Sequence, residues 1–469
     1  MATPKHPNVL VICTDQQFAG AMSCAGNEYL DTPAMDRIAA TGTRFTESYC
    51  AAPVCTPSRG AMLTGRMPHE TGITENNDAI PEEYRDDTVG RLFEEAGYEC
   101  GYAGKWHLPD SEVSPEHGFE CLSGHDDDRV VDPCLDFLSR DRDAETPFML
   151  VASFDDPHNI CEYARGQNLP WGSLNEPPLE ECPPLPSNHA VPPFEPETLR
   201  PEMADRHKTL GAMVDASPEE WRRYRNAYYR LVERVDARLG RLLDGLDAEG
   251  AAEETLVVFM SDHGDGNGAH QINQKWLLYE EQARVPFVVN PPGESVPSSP
   301  PEGDGGRINT DDSRTDDHLV STGLDLLPTL CDYASITPPA DLLGESVRPF
   351  VTGEDPAGWR DVLVTETFDP IEGRMVRSDR YKYIVYKRGR QREQLFDMED
   401  DRGELVDLSV AADYDDVLDD HRRHLLEWCR KTNDLFGERH PAGAPLVPGF
   451  NLKDLQTYMD TGEEPDAIE

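Results

Sequence analysis

Positive charge is what this sequence has least of. Lysine and arginine together number 43 against 90 aspartates and glutamates, a formal net charge of -47 with a pI near 4.5. That imbalance argues against a nucleic-acid partner or an anionic membrane surface, both of which carry the same sign. Long apolar runs are missing as well: none approaches the ~18 residues that would span a bilayer, and no basic segment followed by a short apolar one opens the chain. Paired cysteines are absent too. The 11 cysteines are scattered without a C-x-x-C pair or a regular spacing. An odd number in a chain with no export signal predicts reduced thiols and a cytoplasmic address. There is no internal repeat.

What remains is ample for a folded core. A chain of 469 residues can build one large α/β domain and a smaller one. The acid is spread out, as in Glu82-Glu83, Asp126-Asp127-Asp128, Asp316-Asp317 and Asp415-Asp416, with aromatic and apolar segments between. Such spacing describes a solvated, halophile-like surface rather than disorder.

Near-continuous apolar runs of the buried-strand type occur at Asn8–Cys13, Phe148–Phe154, Thr255–Met260 and Val285–Val289, with a shorter strand expected over Tyr98–Ala103. Helices are expected from Thr32-Pro33 to Gly42, over Thr88–Glu95, from the Ser217-Pro218-Glu219-Glu220 capping box to about Leu246, and over Leu319–Tyr333. Two aperiodic stretches, 176–201 and 291–312, read as surface loops near the site. Beyond Gly353 the pattern becomes short strands at Val362–Thr367, Arg374–Arg377, Tyr381–Tyr386 and Gln394–Phe396, then a helix near Val417–Lys431. The expected architecture is an α/β catalytic domain over residues 1–355, with a mainly parallel sheet flanked by helices, and a small antiparallel α+β subdomain over 356–469.

Four polar clusters fall at the ends of four of these strands: Asp15-Gln16, Lys105 with His107, His158, and Asp262-His263. Each alone also fits a turn or a helix cap. Strand ends of one parallel sheet share an edge, however, so the clusters can converge. Together they would suit a divalent cation and an anionic ester. The stretch Cys55-Thr56-Pro57-Ser58-Arg59 stands apart. Pro57 fits the first turn of a helix, which sets Cys55 at the positive end of a helix dipole with a guanidinium four residues on. By itself Cys55 reads either as an inert buried thiol or as an activated one.

Cys55-x-Pro57-Ser58-Arg59, followed by Leu63-Thr64-Gly65-Arg66, resembles the signature of the type I sulfatases. Gly97-Tyr98 through Gly104-Lys105-Trp106-His107-Leu108 resembles their second signature. Ser261-Asp262-His263-Gly264, then His270, Lys275 and Tyr279-Glu280-Glu281 before Arg284-Val285-Pro286, is similar to their metal- and sulfate-binding segment. Gln394-Leu395-Phe396-Asp397, continuing to Gly403-Glu404 and Asp407-Leu408, is similar to the family's C-terminal strand and turn.

The resemblance implies an alkaline-phosphatase-like fold and a sulfuric ester hydrolase. It also implies conversion of Cys55 to formylglycine by a maturation enzyme that reads C-x-P-x-R. One hydroxyl of the hydrated aldehyde attacks sulfur and displaces the alcohol, and the other expels sulfate. Carried over, Asp15, Gln16, Asp262 and His263 hold one metal ion beside residue 55, and Arg59 fixes the hydrate. Lys105 and Lys275 bind sulfate, and His107 takes a proton during sulfate release. His158 touches sulfate and the bridging oxygen, with either it or Lys275 protonating the leaving group. His270 is a further sulfate contact or lies behind the site.

Gln16 and His263 stand where many relatives carry a second aspartate and an asparagine. Ca2+ is the family's ion, and these two replacements bring Mg2+ or Mn2+ into range. The Asp262-His263 pairing also appears in related phosphonate and phosphate ester hydrolases, and phosphonate monoester or phosphodiester hydrolysis is the rival reading. An inactive binding relative is the third. A small-molecule or saccharide sulfate ester is the expected substrate, and His69, Asn76 and Asn77 are candidate contacts to it.

Overall fold

The computed structural model describes residues 6–440, apart from 110–111, 144–145, 203–212, 214, 295, 298–313, 355 and 390. Eight strands form the main sheet: β1 (Asn8–Asp15), β2 (Thr43–Phe45), β3 (Glu99–Gly104), β4 (Glu120–Ser123), β5 (Phe148–Pro157), β6 (Thr255–Ser261), β7 (Phe287–Asn290) and β8 (Arg314–Asp316). Their spatial order is β4-β3-β5-β1-β6-β7-β2-β8. The run from β4 to β6 is parallel, β7 is antiparallel to both β6 and β2, and β8 is parallel to β2.

Seven helices cover the sheets or carry site residues: α1 (Pro33–Thr41), α2 (Cys55–Thr64), α3 (Val89–Glu95), α4 (Val131–Leu138), α5 (Pro218–Ala248), α6 (Thr322–Ala334) and α7 (Asp415–Thr432). β1 is apolar throughout because both of its faces are covered. Leu10 and Ile12 enter a core closed by α1, α4 and α5. Val9, Val11 and Cys13 enter a second core, closed by α2, α3 and α6. α5 opens on the expected capping box, with Ser217 N–H donating to Glu220 Oε2 at 2.7 Å and Glu220 N–H donating to Ser217 Oγ at 3.3 Å.

A second sheet of four antiparallel strands, β9 (Val362–Thr367), β10 (Gly373–Ser378), β11 (Tyr381–Tyr386) and β12 (Glu393–Asp397), follows in chain order. Alternation sorts its side chains. Val364, Val376, Tyr383 and Leu395 pack on α7. Leu363, Met375, Ile384 and Phe396 pack on the segment Trp276–Tyr279 of the main domain, so this sheet backs the polypeptide that carries Lys275.

Some boundaries differ from expectation for non-local reasons. α6 begins at Thr322 rather than Leu319 because Val320-Ser321 pair as a short parallel strand with Ser48-Tyr49. β7 begins at Phe287, while Val285 N–H is taken by the Ser48 carbonyl at 3.0 Å. The 176–201 stretch has a 3-10 turn, Leu179–Glu181, and enters a helix at 199; the rest of it is irregular. Of the 291–312 loop, residues 295 and 298–312 lie outside the described residues, as do 441–469 of the expected subdomain.

Candidate active site

Parallel strands deliver their carboxyl ends to one edge, and that is where the polar clusters meet. The β1–β6 register pairs Thr14 with Ser261, which sets Asp15 beside Asp262. The β3–β5 register pairs Gly104 with Ser153, which brings Lys105 next to them. Gly104 has φ 96, and a Cβ there would collide with the Ser153 carbonyl, so only glycine lets β3 turn at this point. α2 closes the edge. Val54 is its N-cap and Cys55 its first residue, so Cys55 stands inside the first turn rather than ahead of it. Ser58 Oγ donates to the Asp262 carbonyl at 2.5 Å and pins that turn to the strand end.

Arg59 ties the two carboxylates together. Its Nε donates to Asp262 Oδ2 at 2.8 Å and its Nη2 to Asp15 Oδ2 at 3.2 Å, while Nη1 reaches the Lys105 carbonyl and Ser153 Oγ at 2.8 and 2.9 Å. With those oxygens occupied, Oδ1 of each aspartate is turned toward His263 Nε2, at 3.8 and 3.7 Å. His263 Nδ1 lies 2.9 Å from the Gly264 carbonyl. A carbonyl only accepts, so Nδ1 carries a proton; burial opposes the ring's charge, but Asp262 and Cys55 raise its pKa, and Nε2 is the nitrogen that a metal ion would take in place of a proton.

This donor set fits a divalent cation. The ligand atoms of Asp15, Cys55, Asp262 and His263 lie within 4.8 Å of one another. Gln16, held at φ 71, gives its Nε2 to Asp265 Oδ2 at 2.7 Å and Gln274 Oε1 at 3.3 Å. Its Oε1 is left buried without a hydrogen-bond partner. Burial and the like charge of Asp15 push Asp262 up to about 6, as befits a carboxylate pair that wants a further positive charge.

Lys105 and Lys275 flank the carboxylates. Lys105 Nζ is 2.7 Å from Asp15 Oδ2 and 2.7 Å from Asp155 Oδ1. Burial favours its neutral amine, but Asp15, Asp155 and Cys55 hold its pKa well above the usual lysine value. Lys275 Nζ is 2.8 Å from Cys55 Sγ, and His263 Nε2 is 3.2 Å from the same sulfur. Burial and Asp15 push the Cys55 thiol up, yet Lys275, His263 and Lys105 outweigh them and leave it well below the ordinary range. At Asp15 burial is likewise outweighed, by Lys105, His158, Lys275 and Arg59.

Asp155 is a residue that the sequence reading left out. It bridges Lys105 to His125, whose Nε2 lies 2.8 Å from Oδ1, and His158 Nδ1 lies 3.8 Å from the same oxygen. Burial first, then the Lys105 and Lys275 charges, push His158 down to about 3, so it stands neutral at physiological pH. His107 has φ 65; its carbonyl accepts from Thr56 Oγ1 at 2.7 Å, and its Nδ1 is buried without a partner. His270 occupies a second buried cluster, with Glu281 and Glu404, its ring stacked on Tyr279 at 4.4 Å. His69 is engaged by Glu366 at 2.5 Å. Asn76 Oδ1 accepts from Thr56 N–H at 3.1 Å, and Asn77 N–H donates to Thr56 Oγ1 at 3.3 Å.

A mainly parallel sheet that gathers carboxylates, a histidine, two ammonium groups and a helix-borne residue 55 at one edge defines an alkaline-phosphatase-like hydrolase of anionic esters. The model of the sulfatase family matches residues 7–123 and 109–336, and the model described as N-sulphoglucosamine sulphohydrolase, C-terminal, matches 268–431. The chain belongs to the sulfatase family and is a sulfuric ester hydrolase. It is 30% identical over 458 residues to the Delta 4,5-hexuronate-2-O-sulfatase of Bacteroides thetaiotaomicron, covering 92% of this chain and 90% of that protein. A solved 2-O GAG sulfatase matches with a TM-score of 0.77 at 29% identity, over 92% of this chain and 94% of that one. The phosphonate monoester hydrolase of Agrobacterium radiobacter shares the fold at greater distance, with a TM-score of 0.69 and 21% identity over 94% and 98% of the two chains.

Proposed function

We propose that this sulfatase removes sulfate from a saccharide sulfate ester, using a formylglycine made from Cys55 and one divalent metal ion. The observation that carries the reading is the position of Cys55: its sulfur is within reach of Lys275 and His263 and beside the Asp15–Asp262 pair. Cys55 Sγ here stands in for an oxygen of the aldehyde hydrate. A thiolate so tightly paired would be a poor nucleophile toward sulfur, whereas the hydrate offers one hydroxyl to attack and a second for sulfate release. Cys55, Pro57 and Arg59 are all buried, so the maturation enzyme would read this segment before the chain folds.

Asp15, Gln16, Asp262 and His263 would hold the ion, which supplies Lewis acidity next to residue 55. Three of these ligands offer oxygen and one nitrogen, and Gln16 brings no charge. Mg2+ or Mn2+ therefore suits the set at least as well as Ca2+. Arg59 keeps both carboxylates in place and offsets their charge. Lys105 and Lys275 meet the oxygens of the sulfate and counter the charge that grows on them in the transition state. His107, its Nδ1 unpartnered, takes the proton from the hydroxyl of residue 55 as sulfate leaves. Of the two candidates for protonating the departing alcohol, His158 is neutral and Lys275 carries the proton, so Lys275 gives it.

Matched aryl sulfate, phosphate diester and phosphonate monoester substrates test the reading on protein whose Cys55 is shown by mass to be modified. Sulfate should be turned over best. Sulfate as the poorest of the three by a wide margin would replace this reading with phosphonate or phosphodiester hydrolysis, and no turnover of any ester would favour an inactive relative.

A further inference from the structure

Beside residue 55 lies a cleft of about 180 Å³ with aromatic walls and an acidic rim. Val54, the residue before Cys55, and Trp276, the residue after Lys275, both line it. Asn76, which accepts from the Thr56 N–H, lines it as well. The cleft is thus lined by the immediate chain neighbours of Cys55 and Lys275, which sets it next to the reacting residue. Its wall is fixed: Trp276 N–H donates to the Pro53 carbonyl at 3.0 Å, and the Trp276 carbonyl accepts from Thr367 Oγ1 at 2.8 Å. Trp276 is held at φ 82, a conformation that a bulky residue adopts only where its surroundings impose it.

Size and charge together restrict the occupant. The volume is below the ~300–1,000 Å³ of sites that enclose drug-sized ligands, which limits it to one ring. Trp276 and Phe368 offer flat apolar faces of the kind that pack on the C–H face of a pyranose and attract a cation. The charged groups that line it are Glu75 and Asp369. Asp78 reinforces the negative sign, accepting from the Glu75 N–H at 2.8 Å. Asp369 pairs with Lys387 at 2.5 Å, and that ammonium is shared with Glu372 at 3.3 Å. Arg374 lies over the Phe368 ring at 5.4 Å, but its guanidinium is bound by Asp434. Carboxylates accept from sugar hydroxyls and ammonium groups and repel a substrate carboxylate.

Resting on the sulfatase reading, we propose that this cleft selects a single terminal sugar ring without a carboxylate, neutral or aminated, whose hydroxyl or ammonium donors meet Glu75 and Asp369. The specificity would then differ from that of the relative whose name specifies a hexuronate.

Three monosaccharide sulfates matched in ring position, a hexosamine, a neutral hexose and a hexuronate, test the proposal, with an aryl sulfate alongside. On formylglycine-bearing protein, kcat/KM for the hexosamine and hexose esters should exceed that for the hexuronate ester by about tenfold or more. The double variant Glu75→Gln, Asp369→Asn should narrow the hexosamine-to-hexuronate ratio by about tenfold, with the unfolding midpoint confirming an intact fold. Turnover of the aryl sulfate with a preference for the hexuronate ester, or a ratio unmoved by the double variant, overturns the proposal and leaves the sulfatase reading standing. Failure to turn over any sulfate, aryl included, removes the sulfatase reading itself and this proposal with it.

Discussion

The Nζ of Lys275 lies 2.8 Å from the Sγ of Cys55, and both side chains are buried. An ammonium in that position costs desolvation, which only a negative partner can offset. Burial opposes its charge, but Cys55 and Asp15 raise the Lys275 pKa above the ordinary lysine value. Lys275 is thus a fixed positive charge aimed at the reacting atom of residue 55. Lys275→Ala is expected to lower kcat/KM for an aryl sulfate by about 10²–10³-fold, the usual effect of removing a charge stabiliser from a dry site. Steady-state kinetics on modified protein would check it, and a loss below tenfold would take Lys275 out of the reaction.

Arg59 makes a different prediction, because it acts through other residues. Its fork reaches Asp15 and Asp262 at once, and a lysine has one point charge to offer where the site uses a planar pair of donors. Arg59→Lys should therefore weaken metal affinity by about 10–100-fold, as losing an outer support of metal ligands commonly does. Calorimetric titration of the metal-stripped protein reads this apart from turnover. Unchanged affinity would show that the carboxylates hold their positions without the fork.

The ion itself can be tested by removal. Exhaustive chelation should abolish aryl sulfate turnover, and Mg2+ or Mn2+ should restore it at least as well as Ca2+, given one nitrogen donor and an uncharged amide among the ligands. Gln16→Ala should lower metal affinity by about tenfold, because the buried Oε1 without a hydrogen-bond partner is then lost. Restoration by Ca2+ alone would show that Gln16 and His263 do not set the preference.

Much of this site is written locally. Asp15, Lys105 and Asp262 each stand at the end of a run that reads as a strand, and Pro57 marks the helix that brings Cys55 to them. What could not be read depends on distant partners. Asp155 stands in an acidic pair of the kind that usually makes a turn, and its role comes from Lys105 and His125, 50 and 30 residues earlier in the sequence. The orientation of the Gln16 amide is set by Asp265 and Gln274. β2 and β8 are three residues each, too short to show a period. The reversal at β7 is invisible because an apolar run reads alike in either direction. His270 shares a segment with Lys275, but the stacking on Tyr279 that occupies its ring is a tertiary contact.

That buried ring yields a prediction about acid stability. Burial, then the charges of Arg200 and Lys382, push His270 from 6.5 down to about 3. Above pH 6.5 the ring is neutral whether the chain is folded or not, and the contribution is flat. Between 6.5 and about 3 the unfolded chain binds a proton that the folded one refuses, so stability falls as pH falls, by up to about 1.4 kcal/mol per pH unit for this one group. His158, pushed down to about 3 as well, adds the same sign. Glu404, raised by burial from 4.5 to about 8, acts in the opposite direction between those values and so overlaps this range, so the informative quantity is the difference between wild type and a variant. His270→Gln removes both the stacking and the titration. Lost stacking costs about 1 kcal/mol at every pH, whereas lost titration changes only the slope. Denaturant melts from pH 7 to pH 5 should therefore show a shallower decline for the variant, its deficit shrinking toward pH 5. Parallel curves would mean that the His270 ring takes up its proton in the folded protein as readily as in the unfolded chain.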